Sequence, residues 1–334
     1  MAETEHQVHV DRNLALELVR VTEAAALAAS RWMGRGDKNA ADGAAVEAMR
    51  QAFDTVAISG TVVIGEGEMD EAPMLYIGEK VGLYARTGGG QEVDIAVDPL
   101  EGTSITAKGG PNAMATVALA QKGGFLHAPD IYMDKLAVGP GLPPGVVNLQ
   151  ASVEENLREL AKAKKRSISD LVVCLLDRDR HKEIVKRCRA AGARIMMIPD
   201  GDVSGVVAVS QADTGVDIYM GSGGAPEGVL AAAALRCIGG QMQGRLMFEN
   251  EEQIARAREM GVTDPDRIYE LEDMAKGEVM FAATGVTTGP MLRGVRHFGT
   301  GAVTHSIVMR SKTGTVRYVE GHHNFALKPS AFIA

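Results

Sequence analysis

Two carboxylates stand close together where an apolar stretch ends, in "VDIAVDPLEGTS" (residues 93–104). The alternating Val, Ile and Ala residues predict a strand that ends at Asp98. Glu101, Gly102 and Thr103 follow within the same turn. Asp-Pro and Glu-Gly pairs are ordinary turn formers, so the stretch alone is compatible with a polar turn. The other interpretation is a site that holds a cation beside a hydroxyl group.

Further acidic residues lie in turns next to predicted strands and helices. "GEGEMDEAPM" follows the predicted strand "TVVI" and contains Glu66 and Asp70. "AADGAAVE" places Asp42 at the start of a helix, and "GGAPEG" places Glu227 at the start of another. Strand ends of an α/β scaffold face a common crevice, where such side chains can meet. Taken singly, the acidic turn is as compatible with an ordinary turn as with a metal site, and Asp42 fits a helix cap better than a metal ligand.

The ligand type is informative, because clusters of Asp and Glu oxygens suit hard cations such as Mg²⁺ or Mn²⁺. Five carboxylates would form the cluster if the turns converge: Asp42, Glu66, Asp98, Glu101 and Glu227. Two such charges 4 Å apart repel by about 4 kcal/mol at an effective dielectric constant of ~20, so folding alone does not favour the arrangement. Two or more divalent cations would reverse the local charge and let a phosphate bind. The set predicts metal-assisted phosphate chemistry.

A second group of polar residues is basic. "DRDRH" ends the predicted strand "LVVCLL" and supplies Arg178 and Arg180, and "PDGDV" (residues 199–203) ends the next strand. With "GGAPEG", three successive crossover units place polar turns at one edge of a sheet. Guanidinium groups bind phosphate well, which favours a site for a second anionic group. Pairing of the two arginines with Asp177 and Asp179 is an equally good interpretation of the stretch.

Strands alternate with helices along the chain, which predicts an α/β fold in layers. Ser152 and Glu155 form a capping box ahead of an amphipathic helix. The Gly- and Pro-rich segment "GPGLPPG" (residues 139–145) indicates a boundary. We therefore expect a metal-binding half with a mixed sheet in residues 1–150. Residues 151–334 would form a second half with a more parallel sheet and substrate-binding strand ends.

The composition narrows the class of protein. The 334 residues are 46% hydrophobic and 23% charged, as in ordinary globular proteins. A net charge of −8 and an aromatic content of 4% argue against nucleic acid as a partner. We expect no secretory signal and no membrane span, because the sequence shows neither pattern. Cys174, Cys188 and Cys237 have no paired spacing and predict buried free thiols in the cytoplasm.

The motifs together resemble those of class II fructose-1,6-bisphosphatases over nearly the whole chain. They are "GRGDKNAADGAAV", "VVIGEGEMDEAPMLYIGEKVG", "DIAVDPLEGT", "APDIYMDKL", "PDGDV" and "GGAPEGV". "DRDRHKE", "RCIGG" and "GVRHF" are more similar to the branch that also acts on sedoheptulose bisphosphate. The family belongs to the metal-dependent, lithium-sensitive sugar phosphatases. The resemblance implies their layered αβαβα sandwich and a homodimer or homotetramer.

The resemblance also implies roles for individual residues. Metal ligands for two or more Mg²⁺ or Mn²⁺ ions would be Asp42, Glu66, Asp98, Glu101 and Glu227. Asp70 and Thr103 would be catalytic, as the residues that deprotonate and orient the attacking water. The substrate-binding positions would be Glu101, Gly102, Thr103, Tyr132, Arg178, Asp179, Arg180, Asp200, Gly201, Asp202 and Gly224.

The implied reaction is the metal-dependent hydrolysis of the 1-phosphate of fructose 1,6-bisphosphate, and of sedoheptulose 1,7-bisphosphate, in gluconeogenesis or a reductive pentose cycle. Asp179 departs from the Pro that relatives commonly carry, and an acid there could weaken the hold on the distal phosphate. "MFENEEQIARAREMG" is shorter than in several relatives. The alternatives are an inositol- or nucleotide-monophosphate phosphatase of the same superfamily, and a non-catalytic sugar-phosphate sensor.

Overall fold

The computed structural model describes residues 2–67 and 74–327, with side chains from residue 13 onward. The helices in these ranges are α1 (Ala2–Ser30), α2 (Lys38–Phe53), α3 (Thr103–Lys108), α4 (Val153–Lys164), α5 (Lys182–Ala190), α6 (Asp202–Ala208), α7 (Ala225–Ile238), α8 (Glu251–Glu259) and α9 (Leu271–Met274). The strands are β1 (Ile58–Ile64), β2 (Lys80–Val81), β3 (Gln91–Glu101), β4 (Met114–Gln121), β5 (Tyr132–Val138), β6 (Val172–Leu176), β7 (Arg194–Ile198), β8 (Ile218–Gly224), β9 (Gln241–Met247), β10 (Ile268–Glu270), β11 (Val279–Gly285), β12 (Arg296–Phe298), β13 (Gly301–Arg310) and β14 (Thr315–Asn324).

The chain forms two compact units. The first contains the described residues of Met1–Gly123 and Glu278–Ala334, and the second is Gly124–Gly277. This division differs from the predicted boundary near residue 150 for two reasons. β5 pairs with β8 and β9, so it belongs to the second sheet. β11 pairs with β4 along its whole length, which brings the C-terminal strands into the first sheet.

The sheet of the first unit has eight strands in the described part of the chain, in the order β12-β13-β11-β4-β3-β1-β2, with β14 paired to β13. Among these strands only β1 and β3 run parallel to each other. Helix α1 lies against β4, β11 and β13, and α2 lies against α1 and β3. Leu18, Phe53 and Ile95 are fully buried in this core. Burial of each such side chain contributes about 1.5–3 kcal/mol.

The sheet of the second unit has six strands in the order β10-β9-β5-β8-β6-β7. β6 is parallel to both β7 and β8, while β5, β9 and β10 join by antiparallel pairs. The segment β6-α5-β7-α6-β8 is thus the predicted series of crossover units, and this sheet is the more parallel of the two. The predicted α/β class with mixed sheets is confirmed, and so is the capping box, in which Glu155 N donates to Ser152 Oγ at 3.2 Å.

Two further predictions concern whole classes of residue. All three cysteines lie within the described ranges and are buried, as expected. Burial raises the pKa of Cys174 to about 12 and that of Cys188 to about 11, so neither thiol is a ready nucleophile. Across the described part of the chain, we find no helix that combines the length and the apolar character of a membrane span.

Candidate functional site

In the first unit, the parallel pair β1 and β3 brings two predicted acids to one end of the sheet. Their register pairs Ile64 with Ala96. Glu66 and Asp98 each lie two residues beyond this pair, and both are partly exposed. Because parallel strands end at the same edge, the two carboxylates belong to one polar edge of the first unit.

The end of β3 is irregular, which decides where its two acids lie. Asp98 stands opposite Thr116 of β4, but Glu101 stands opposite Met114, so the register shifts between them. Leu100 N donates to Asp98 Oδ1 at 3.0 Å, and Glu101 is buried. An irregularity of this kind turns a side chain away from simple alternation. It allows two acids of one strand end to serve the same site.

Gly102 makes the turn from β3 into α3. Its φ of +92° lies in the left-handed region, where glycine is strongly favoured. A Cβ at this position would also lie 3.2 Å from Ile105 Cδ1. Thr103 is the first residue of α3 and is partly exposed. Gly102 therefore makes a tight turn that places the Thr103 hydroxyl group only two residues after Glu101.

Asp42 lies inside α2 and is not its cap. Asp37 is the cap, since its Oδ1 accepts a hydrogen bond from Ala40 N at 2.9 Å, and the helix begins at Lys38. The interpretation of Asp42 as a helix cap is therefore wrong. Burial raises the pKa of Asp42, so its charge is poorly solvated. Its helix contacts both α3 and β3, the elements that flank Glu101.

The turn after β1 is held by an ion pair. Glu66 N donates to Leu75 O at 3.1 Å, and Leu75 N donates to the Glu79 carboxylate. The same carboxylate accepts a hydrogen bond from Arg50 Nε of α2, and only about a tenth of either charged side chain is exposed (12% and 11%). Leu75 is buried and has a φ of +56°, a strained value for leucine. Glu79 thus attaches the turn that contains Glu66 to α2, the helix that contains Asp42.

These acids fit a divalent cation by their chemistry. They offer only oxygen atoms, and the burial of Glu101 and the desolvation of Asp42 are conditions that a cation would relieve. Within the described ranges, no three His, Cys, Asp or Glu side chains are grouped closely enough to hold an ion. Asp70, together with residues 68–73 around it, lies outside the described residues.

In the second unit, the ends of the parallel strands β6, β7 and β8 carry the predicted basic group. Arg178 Nη2 donates to Asp200 Oδ1 at 3.2 Å, and its Nη1 donates to Pro199 O. Its ion pair therefore joins two strand ends and does not involve the carboxylate of Asp177, which offers it only a carbonyl oxygen. Asp179 pairs instead with Lys182 at 2.9 Å, and 93% of its side chain is exposed. The structure thus does not support the alternative of local Arg–Asp pairs for these residues.

Arg180 is fixed by three contacts. Its Nε donates to Ser222 Oγ at 3.0 Å and its Nη2 donates to Ser222 O at 2.8 Å. Its guanidinium lies 4.6 Å from the centre of the Tyr132 ring, a cation–π contact. Tyr132 begins β5 and stands opposite Gly224 of β8. Three predicted substrate-binding positions, Tyr132, Arg180 and Gly224, are therefore neighbours.

His181 is neutral and holds Ser222, the residue that contacts Arg180. Its Nδ1 lies 2.8 Å from Leu176 O, and its Nε2 accepts a hydrogen bond from Ser222 N at 2.9 Å. The carbonyl requires a proton on Nδ1 and the amide requires a bare Nε2, which defines the tautomer. Burial lowers the pKa of His181, consistent with the neutral form.

Asp202, Glu227 and Lys135 form a charged group beside these residues. The Lys135 ammonium forms an ion pair with Asp202 Oδ2, and both residues are buried. Desolvation and repulsion from Asp202 raise the pKa of Glu227 to about 7, while Lys135 opposes that shift. A Cβ on Gly223 would lie 1.9 Å from Asp202 Oδ2, and one on Gly224 would lie 1.9 Å from Glu227 Oε2. Both glycines are needed so that the carboxylates can lie against β8.

Three residues of this site were not predicted: Lys135, His181 and Ser222. Lys135 had a usable signal, since a lysine inside "YMDKLAV" interrupts an apolar strand and is seldom buried without a charged partner. His181 and Ser222 act through backbone groups of Leu176 and of Ser222 itself, which a sequence does not reveal.

Comparison with known proteins agrees with the motifs. The family model for bacterial fructose-1,6-bisphosphatase, glpX-encoded, matches residues 12–323. The chain is 47% identical to a D-fructose 1,6-bisphosphatase class 2/sedoheptulose 1,7-bisphosphatase of Synechococcus sp. (strain JA-3-3Ab), over 94% of this chain and 96% of that protein. It is also 47% identical to the protein of the same name from Synechococcus elongatus, over 95% of this chain and 97% of the relative.

Proposed function

The chain belongs to the glpX-encoded family of bacterial fructose-1,6-bisphosphatases, and we propose that it hydrolyses the 1-phosphate of fructose 1,6-bisphosphate and of sedoheptulose 1,7-bisphosphate. The observation that carries this proposal is the extent of the match. Residues 12–323 contain every predicted site residue, and the similar relatives are named for both reactions. The products are the sugar monophosphate and inorganic phosphate.

The architecture and assembly are part of the proposal. Each unit has a mixed sheet with helices, which is consistent with the layered αβαβα sandwich of metal-dependent sugar phosphatases. A homodimer or homotetramer is the assembly that the family resemblance implies.

We assign the cations to the carboxylates. The proposed ligands of two or more Mg²⁺ or Mn²⁺ ions are Asp42, Glu66, Asp98, Glu101 and Glu227. Bound cations would polarise the phosphate and lower the pKa of a water molecule. The irregular end of β3, the turn at Gly102 and the Arg50–Glu79 ion pair would keep these ligands in place.

The remaining residues bind and orient. Arg178 and Arg180 are suited to hold the distal phosphate, because each guanidinium lies at a strand end and keeps a fixed orientation. The sugar hydroxyl groups would form hydrogen bonds with Tyr132, Asp200 and Asp202. Phosphoryl transfer depends mainly on positioning and charge neutralisation.

The attacking water is assigned to two residues of the first unit. We propose that Thr103 orients the water and that Asp70 accepts its proton. The support for Thr103 is its place two residues after Glu101, at the start of α3. Asp70 is assigned from the motif alone.

The test is the release of inorganic phosphate from fructose 1,6-bisphosphate, sedoheptulose 1,7-bisphosphate and inositol monophosphate, with Mg²⁺, with Mn²⁺ and with chelator. We expect metal-dependent release from the bisphosphates, lost in Glu66→Gln and reduced in Arg178→Ala. Release from the monophosphate alone, unchanged in Arg178→Ala, would show a monophosphatase. Thermal stabilisation by the bisphosphates without any phosphate release would show a sensor.

A further inference from the structure

We propose that Lys135 is a positioning residue of the substrate site. Its ammonium forms an ion pair with the carboxylate of Asp202 and holds it at the end of β8. There the carboxylate accepts a hydrogen bond from a hydroxyl group of the bound sugar. This inference rests on the proposed function, because it takes Asp202 as a substrate-binding residue. It adds a residue to which neither the motifs nor the resemblance gives a role.

The place of Lys135 in the sheet limits the motion of its side chain. It lies in the middle of β5, opposite Gly221 of β8 on one side and Gly244 of β9 on the other. Only 1% of the residue is exposed, so its ammonium has exchanged water for the Asp202 carboxylate. A buried ammonium with a carboxylate partner keeps a single orientation, whereas an exposed one would move.

The backbone around the ion pair leaves room for it. A Cβ on Gly223 would lie 3.2 Å from Lys135 Nζ and 1.9 Å from Asp202 Oδ2. A Cβ on Gly228, in the first turn of α7, would lie 3.3 Å from Lys135 Cε. Two glycines therefore clear the space that one lysine and one carboxylate fill.

A purely structural role explains this arrangement poorly. Buried ion pairs add little stability compared with apolar side chains of the same volume. The Lys164–Asp217 pair of the same unit shows what a structural pair does, because Asp217 Oδ2 also accepts a hydrogen bond from Val172 N and so ties two strands together. That pair lies at the start of β8, and the Lys135–Asp202 pair lies at its end, beside Arg180 and Ser222.

A second acid, Glu227, lies close to this ion pair. A Cβ on Gly223 would lie 1.9 Å from Asp202 Oδ2, and one on the next residue, Gly224, would lie 1.9 Å from Glu227 Oε2. An uncharged residue at position 135 would leave the two carboxylates near each other without the lysine cation. We expect the Asp202 carboxylate then to turn away from the strand end, and the sugar hydroxyl to lose its acceptor.

The test compares Lys135→Met, Asp202→Asn and the double variant, by the kinetics of phosphate release from fructose 1,6-bisphosphate. Methionine keeps much of the volume of lysine without its charge. We expect Lys135→Met to raise KM by roughly 10- to 100-fold, as for the loss of one hydrogen bond to a charged group, and to change kcat by less than about threefold. Lys164→Met is the matched control, with KM unchanged.

The double variant decides between positioning and separate effects. If Lys135 acts through Asp202, its removal in the Asp202→Asn background lowers kcat/KM no further. If the two losses multiply, or if Lys135→Met leaves KM unchanged, the inference is overturned. The double variant removes both charges of the Lys135–Asp202 pair, so it can be compared with Asp202→Asn even if Lys135→Met alone unfolds. A wild-type protein that releases no phosphate would instead overturn the proposed function itself.

Discussion

In both units the parallel strands end in polar turns, but the charges of the residues in those turns differ. In the first unit, the parallel strands β1 and β3 lead to acids, Glu66, Asp98 and Glu101, with Asp42 on a helix that contacts β3. In the second unit, acids alternate with cations at the ends of β6, β7 and β8. The first arrangement suits cations, and the second suits an anion that also carries hydroxyl groups.

The supports of the two sites differ as well. In the first unit, the backbone positions the acids, through the shifted register after Asp98 and the left-handed conformation of Gly102. In the second unit, side chains hold one another, as in Arg180–Ser222 and Lys135–Asp202. Changes at the end of β3 should therefore act on the metal and on kcat, and changes at Arg180 or Lys135 should act on the KM of the sugar phosphate.

The largest effect is expected for Glu101→Gln, because Glu101 is buried and is a proposed metal ligand. We expect kcat with Mg²⁺ to fall on the order of 10³-fold, from the loss of metal-based stabilisation of the transition state. The control is Glu92→Gln, since Glu92 is exposed in the same strand and pairs with Lys122. Equal kcat values for the two variants would contradict the assignment of metal to this edge.

Arg180→Met tests the second unit. We expect KM for fructose 1,6-bisphosphate to rise by about 10- to 100-fold while kcat changes little, since a charged donor to phosphate contributes ~1.5–3 kcal/mol. Arg189→Met, an exposed arginine of α5, is the control. A fall in kcat with an unchanged KM would place Arg180 with the metal site and remove the contrast between the units.

Glu79→Gln tests whether the turn that carries Glu66 depends on the Arg50 ion pair. Both side chains are largely buried, so the variant should lose about 1–3 kcal/mol of unfolding free energy. The Mg²⁺ concentration for half-maximal rate should also rise. Urea denaturation and metal titration measure these effects, with Glu278→Gln of the exposed Lys312–Glu278 pair as the control. Loss of stability without a change in metal dependence would make the pair structural only.

His181 predicts a pH effect on stability. Burial lowers its pKa in the folded state, so the unfolded chain binds the proton more readily. Its contribution to stability is then complete above the ordinary pKa of about 6.5 and is lost as the pH falls below it. Melting temperatures from about pH 8 to pH 5.5 should fall more steeply for the wild type than for His181→Asn. Parallel curves would show that protonation of His181 does not matter to folding.

The smallest effect is expected for Asp179→Asn. Asp179 is the residue whose charge could weaken the distal phosphate site, but its side chain is exposed and pairs with Lys182. Exposed pairs contribute ~0–1 kcal/mol, so KM for the bisphosphates should change less than about twofold. A larger fall in KM would mean that Asp179 does act on the phosphate.

Local patterns predicted much of the fold. The capping box at Ser152 and the alternation from β6 to β8 need only neighbours in sequence, and both were predicted. The division of the chain was harder to predict, because β5 and β11 choose distant partners. Nothing within "GEVMFAATG" indicates that the strand will pair with β4, more than 150 residues earlier.

The candidate site shows the same limit. The residue types and turns of Asp98, Glu101 and Glu227 indicate metal chemistry, and their role as metal ligands stays a prediction. The sequence signals that Lys135 needs a charged partner, but it does not show which one, since the contacts of Lys135 and His181 are with Asp202 and Ser222 on other elements. An acid near the start of a helix is typical of a cap, which explains the wrong interpretation of Asp42; the actual cap, Asp37, lies five residues earlier.

The central proposal is that cations bind Asp98 and Glu101 at the end of β3, while Arg180 and Asp202 hold the sugar and its distal phosphate. The most direct measurement is anomalous diffraction at the Mn edge from crystals grown with Mn²⁺ and fructose 6-phosphate. We expect Mn²⁺ at coordination distance from Asp98 and Glu101, and the sugar phosphate beside Arg180 and Asp202. Mn²⁺ bound elsewhere, with no ion at those two carboxylates, would contradict the account.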